Sequence, residues 1–239
     1  AVHALKGISV TVDAGKIVAK DPAMTVKLLH LVNSAYFGLA RQVNSVDRAV
    51  NFLGLDTLMS LVLAHGIFSE CKPSTVPGIS LERLWSRSLN VAAAARLLAK
   101  HAGLDAKAQD DAFLAGILQD LGTLLLVAEM PGPYSETLVR FRQGGVTRAV
   151  VETEVFGASH AEIGAYLIGL WGLPDPIVEA VAFHELPSSG PTPGLSLAGI
   201  VHVAERLIDN PADSAAAPPA DIDSAWLGSL GKPRAWNDF

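Results

Sequence analysis

The side chains able to do chemistry in this chain are few, and they interrupt apolar helical sequence. Gln119-Asp120 lies within Ile117–Leu121, His160 follows Ser159 at a helix start, and His184-Glu185 sits at a helix end. Their chemistry would be that of carboxylates and imidazoles held among apolar neighbours, and each also has an ordinary structural reading. Asp120 is expensive to bury alone, so it needs a partner, which an ion pair or a cap would supply. His160 can be a plain first-turn residue, and a protonated His184 would sit well at the negative end of a helix dipole. Trp85 and Trp171 read as core, and Met24, Met59 and Met130 as filler. Cys71 reads as inert, because no basic or His-rich cluster surrounds it in sequence.

Several chemistries are excluded outright. There is no phosphate-binding Gly-rich loop, no nucleophile elbow and no CxxC pair. The 239 residues are half apolar and only 18% charged, which excludes a disordered chain, a collagen and a disulfide-stapled miniprotein. A net charge of −6 weighs against a nucleic-acid binder. One cysteine allows no intrachain disulfide and fits a cytoplasmic protein. The most apolar stretch, 112–128, is broken by Gln119 and Asp120, so no membrane span and no membrane partner are expected. The chain opens at Ala1 with no basic segment leading into an apolar run, so it reads as part of a longer protein and not as an exported precursor.

The elements that must position these residues are helices. Asp21-Pro22 is a helix start, Val46–Leu53 a short helix ended by Gly54, and Leu55–Phe68 another. Pro73, Pro77 and Gly78 mark a connector. Beyond it the periodicity predicts helices over Leu81–His101, with a small-residue run at Ala92–Ala95, and over Ala106–Ala128, with Gly122 as the break. Further helices follow over Tyr134–Gln143, Val146–Phe156, from His160 behind a Ser159/Glu162 capping box, from Pro176 to His184, and over Leu197–Ile208. The only strand-like alternation is Ile8–Val12. The expected fold is all-α: an amino-terminal lobe (1–78), a second helical lobe (79–210), and an Ala/Pro-rich linker and tail (211–239).

The order of the motifs adds a family. Asp21-Pro22-Ala23-Met24, Asn33-Ser34-Ala35-Tyr36-Phe37-Gly38 and Asn51-Phe52-Leu53-Gly54 come first. Leu84-Trp85-Ser86-Arg87, Ala112-Phe113-Leu114-Ala115-Gly116 with Gln119-Asp120, His160-Ala161-Glu162 and Phe183-His184-Glu185 follow. In this order, from Ile17 to Asp209, they resemble the HD superfamily of metal-dependent phosphohydrolases, and more closely its HDOD branch. The resemblance makes the second lobe HD-domain-like. In catalytic HD enzymes a first His, a His-Asp doublet and a later acidic residue gather metal ions, which lower the pKa of bound water to about 7.

By that resemblance the first His position falls on Arg87, the doublet on Gln119-Asp120, and the last acidic position on Glu205. Glu185 stands where related cyclic-dinucleotide phosphodiesterases carry a second His. Arg87 cannot ligate a metal, and a salt bridge from Arg87 to Asp120 would fill the site. The resemblance therefore implies a degenerate HD site of Arg87, Gln119, Asp120, His160, His184, Glu185 and Glu205, with no metal, no cofactor and no catalytic residue. It implies a bacterial regulatory module acting on a protein partner or on linked signalling domains. Two alternatives remain: a sensor in which Arg87, His160 and His184 hold a phosphate-like anion, and a phosphohydrolase using Asp120, His160 and His184.

Overall fold

The computed structural model describes residues 76–209 and 222–230, together with 46–54 and positions 29, 32, 33, 43, 58, 61, 62 and 66. The helix start at Asp21-Pro22, the alternation at Ile8–Val12, most of Leu55–Phe68 and Cys71 lie outside the described residues. The chain divides into two compact units, Ala1–Cys71 and Lys72–Phe239. Among the described residues every regular element is helical, so the fold class is all-α.

In the first unit, α1 spans Val46–Leu53. Gly54 ends it with φ of 78°, a left-handed conformation that a side chain would strain. The Asn33 of the motif has a structural task. Its Nδ2 donates to Val43 O at 2.6 Å while its Oδ1 accepts from Val43 N–H at 2.6 Å. The side chain thus satisfies both backbone groups of Val43, which is itself buried.

The second unit is built from α2 (Leu81–His101), α3 (Ala106–Leu118), α4 (Leu121–Glu129), α5 (Pro131–Arg142), α6 (Arg148–Phe156), α7 (His160–Leu170), α8 (Asp175–Phe183) and α9 (Leu197–Asp209). The caps are those the residue types favour. Ser80, Asp105 and Thr147 each accept a first-turn N–H, and Ser159 forms the full capping box with Glu162. The Ala run of α2 does let helices approach closely: a Cβ on Gly116 of α3 would lie 2.6 Å from Ala92 Cα. Trp85 and Trp171 are only half-buried, at the edge of the core.

Besides α6, which starts at Arg148 and not at Val146, two boundaries differ from expectation. The break in the apolar stretch falls at Gln119-Asp120 and not at Gly122, which is helical within α4. Gly122 is small for another reason, because a Cβ there would meet His160 O at 2.0 Å. The glycine lets α4 press against the start of α7, which brings Asp120 towards His160. The other difference is at α5, which begins at Pro131, since proline costs a helix nothing in its first turn. The stretch Ala106–Glu129 is long and apolar enough to cross a membrane by composition, but 83% of its apolar window is buried in this fold.

Within 211–239, residues 222–230 are not a bare linker. The short helix α10 (Ser224–Ser229) packs on the body through Trp226, which is 2% exposed.

Candidate functional site

Four helix ends converge on one polar cluster. The α3–α4 bend supplies Gln119 and Asp120, the start of α6 supplies Arg148 and Glu152, the start of α7 supplies His160, and the end of α8 supplies His184 and Glu185. The middle of α2 adds Arg87, and the end of α9 adds Glu205 and Asp209. Helix ends carry unsatisfied backbone groups and suit such a convergence.

Arg87 is the hub of one half. Its Nη1 donates to Asp120 Oδ2, and its Nη2 donates to Glu205 Oε1 at 2.6 Å. It also grips Asp209 in a fork, Nε to Oδ1 at 2.9 Å and Nη2 to Oδ2 at 2.7 Å. The Arg87–Asp120 salt bridge that the sequence leads one to expect is therefore present. Burial works against the Arg87 charge, but Asp120, Asp209 and Glu205 outweigh it and hold the guanidinium above its usual basicity. Burial likewise pushes Asp120 up, yet Arg87 and Arg148 hold it well below the ordinary carboxylate range. Glu205 is opposed by burial and drawn down by His184 and Arg87 to about 2.

Arg148 is the hub of the other half, and the sequence reading missed it. Its Nη2 lies 2.7 Å from His160 Nε2, 3.5 Å from Asp120 Oδ1 and 3.7 Å from Glu185 Oε1. Its Nε lies 3.6 Å from Glu152 Oε1. The sequence does carry a signal: Arg148 is the first residue of α6, at the positive end of a helix dipole, where a cation is out of place without anionic partners.

The partners of the two imidazoles fix their tautomers. Glu152 Oε2 accepts from both the backbone N–H of His160 and its Nδ1, at 2.8 and 2.6 Å. Glu152 is pushed up by burial but held below its usual value by these bonds. His184 Nδ1 donates to Val181 O at 2.9 Å. Each ring thus turns an Nε2 lone pair inward, and the two Nε2 atoms are 3.4 Å apart. Burial holds the His184 pKa below its ordinary value, with Glu205 opposing.

Converging lone pairs are what a metal ion would satisfy. Donor atoms of His160, His184 and Glu185 all lie within 4.8 Å of one another. The donor chemistry suits a divalent cation, but the position is taken. Arg148 Nη2 stands against His160, Glu185 and Asp120, and Arg87 holds the opposite oxygen of Asp120. As arranged, the residues do not fit a metal. Arg206 Nη1 also pairs with Glu205 at 3.3 Å. Three guanidiniums therefore face five carboxylates, two fewer cations than anions among these side chains.

All seven residues singled out from sequence join this network, with Arg148 as the link between the Arg87 half and the histidines. Gln119 is fully buried and donates Nε2 to Asp120 Oδ2 at 3.2 Å, while its Oε1 has no hydrogen-bond partner. Sequence reading also missed Glu152, Asp209 and His202. His202 Nδ1 donates to His184 O at 2.7 Å, which ties the site to the α10 end of the fold.

A family model for the HDOD domain matches residues 8–187. An uncharacterized protein of Treponema pallidum (strain Nichols) is 28% identical over 200 residues, covering 82% of this chain and 38% of that protein. The chain thus spans well under half the length of that relative. The solved structure of a protein from Shewanella amazonensis SB2B, named "putative phosphohydrolase", is 27% identical, with a TM-score of 0.70 over 97% of this chain and 81% of the other. A "putative signal transduction protein" of Marinobacter aquaeolei VT8 shares the fold at 23% identity, with a TM-score of 0.61 over 87% of this chain and 46% of the other. With three-quarters of its length matched by the model, the chain belongs to the HDOD domain family.

Proposed function

We propose that this HDOD chain is a non-catalytic signal-transduction module, acting in the cytoplasm on a protein partner or on domains linked to it. The observation that carries the reading is the pair of guanidiniums on Asp120, with Arg148 also donating to His160 Nε2. A permanent cation cannot lend an electron pair and repels a divalent ion from the only convergence of ligand atoms among the described residues. The name of the Marinobacter protein agrees with a signalling role.

The name of the Shewanella protein points towards phosphoester hydrolysis, and one experiment separates the two. The chain is equilibrated with manganese, freed of loose ions, assayed for bound metal and offered cyclic dinucleotides. No retained metal and no turnover are expected. Stoichiometric metal, or turnover lost in Asp120→Ala, would overturn the proposal. Arg148→Ala sharpens the test, because it clears His160, His184 and Glu185 of their cation. That variant should retain manganese where the parent does not.

The anion-sensor reading has less support. Every donor that Arg87 is seen to use goes to a carboxylate, and carboxylates outnumber guanidiniums in the cluster.

A further inference from the structure

An apolar groove of about 430 Å³, open to solvent, lies where α6, the start of α7 and the end of α8 meet. Ala149, Ala161, Ala182 and Phe183 line it, flanked by Val150 and Leu186, which are 46% and 54% exposed. Its three hydroxyls are already committed. Thr153 donates to Ala149 O at 2.8 Å, Ser189 donates to Leu186 O at 2.9 Å, and Ser159 is engaged in the capping box. No free hydroxyl is left to orient a small neutral ligand, so apart from its carboxylates the groove offers a partner only apolar side chains.

The charged groups of the lining are all acidic: Glu154, Glu162 and Glu185. Arg140 reaches Glu154 from α5, and Arg148 reaches Glu185 from the buried cluster, but neither lines the groove. An apolar trough with a carboxylate rim is complementary to an amphipathic helix whose apolar stripe is flanked by lysine or arginine.

We propose that this groove docks a basic amphipathic helix of a partner protein, an inference that rests on the signalling reading and supplies its partner. Glu185 gives the groove a route inward. Its Oε1 lies 3.7 Å from Arg148 Nη2 and 3.5 Å from His160 Nε2, so a partner's cation that draws Glu185 outward loosens one hold on Arg148.

The probe is a designed amphipathic peptide of leucine and lysine, with its leucine/glutamate counterpart as control, titrated into the whole chain and followed by amide chemical shifts. The basic peptide should bind saturably, more weakly as salt rises, with shifts centred on 149–162 and 182–189. Val150→Lys and Leu186→Lys, both at exposed positions, should each weaken it about tenfold or more with melting temperature unchanged, because each removes an apolar contact and repels the lysines of the probe. No binding of the basic peptide, equal binding of the two peptides, or equal binding by both variants would overturn the groove. Self-association of the parent chain that Leu186→Lys abolishes would overturn it too, in favour of a second copy as occupant. Manganese retention is read separately, so a failed groove leaves the metal-excluding cluster standing, and retained metal in the parent marks the failure of the signalling reading itself.

Discussion

Two buried histidine sites share α9 and the end of α8, yet they are held by opposite means. Around His160 and His184, charge balance does the holding: guanidiniums and carboxylates are removed from water together, and each is tolerable only because the others are there. Around His202, shape does the holding. The ring bridges His184 O and the backbone N–H of Asp223, at 2.7 and 3.0 Å, and the Trp226 ring meets its edge at a centroid distance of 6.4 Å. Trp226 lies over Gly199, where a Cβ would come within 2.1 Å of the indole, and its Nε1 donates to Gly194 O at 2.9 Å. The first site should therefore be brittle to loss of one charge, and the second to gain of one methyl group.

The largest effect tests that brittleness. Asp120→Ala leaves Arg87 and Arg148 facing each other's charge with a shared counterion gone, and should cost about 3–5 kcal/mol in denaturant unfolding. Asp120→Asn keeps the shape and part of the hydrogen bonding, so it should fall between the parent and the alanine variant. An alanine variant as stable as the parent would erase the contrast between the two sites.

Next in size is the shape side. Gly199→Val must displace the Trp226 ring and should cost about 1–3 kcal/mol. The emission of Trp226 should shift to the red as α10 leaves the body. If stability falls without that shift, the glycine serves α9 alone and the tail is not keyed to it.

Much of the charge-balanced site was legible in the sequence because its members break an apolar pattern. Asp120 sits among buried leucines, and a buried carboxylate implies a cation. Arg87 and Glu205 became visible as its partners only through the family motif order, since they lie far apart in sequence. Arg148 and Glu152 escaped because Val146–Phe156 reads as an ordinary half-exposed helix whose charges belong to solvent, and only the dipole penalty marks Arg148. His202 escaped for a different reason. It lies in an apolar α9 beside other candidate core residues, and its partner at Asp223 is reached only after twelve residues of Ala/Pro-rich sequence that carry no periodic signal. The fold was easier, because helical periodicity and caps are local. The misplaced break at Gly122 shows the limit, since its small size serves a contact with α7 that sequence cannot display.

The two sites should also differ in how they titrate. Burial holds both His184 and His202 below the ordinary 6.5, with Arg206 adding to the depression at His202 and Glu205 opposing it at both. The unfolded chain therefore binds protons there that the folded chain refuses, so stability falls as pH drops below about 7. Asp120 and Glu205 are shifted down as well, but their stabilisation is lost only at more acid pH, below the unfolded values of 3.8 and 4.5. The window from pH 7 to 5 thus belongs to the histidines. Each contributes a slope of at most about 1.4 kcal/mol per pH unit. His202→Gln should remove roughly half of that slope, and an unchanged slope would place the whole effect on the charged cluster.

The smallest effect is the one that a census of ion pairs would rank with the others. Arg140 and Glu154 form a close pair across α5 and α6, but their side chains are 47% and 55% exposed. Water already solvates both charges, so little desolvation is involved and little attraction is gained. Arg140→Gln should change stability by less than about 0.5 kcal/mol, and even that should vanish in high salt. The same chemical pair, guanidinium with carboxylate, would then span most of an order of magnitude in effect between Arg140–Glu154 and Arg87–Asp120. Equal losses at the two sites would mean that burial is not what makes the cluster brittle, and the reading of Arg148 as a locked cation would lose its physical basis along with it.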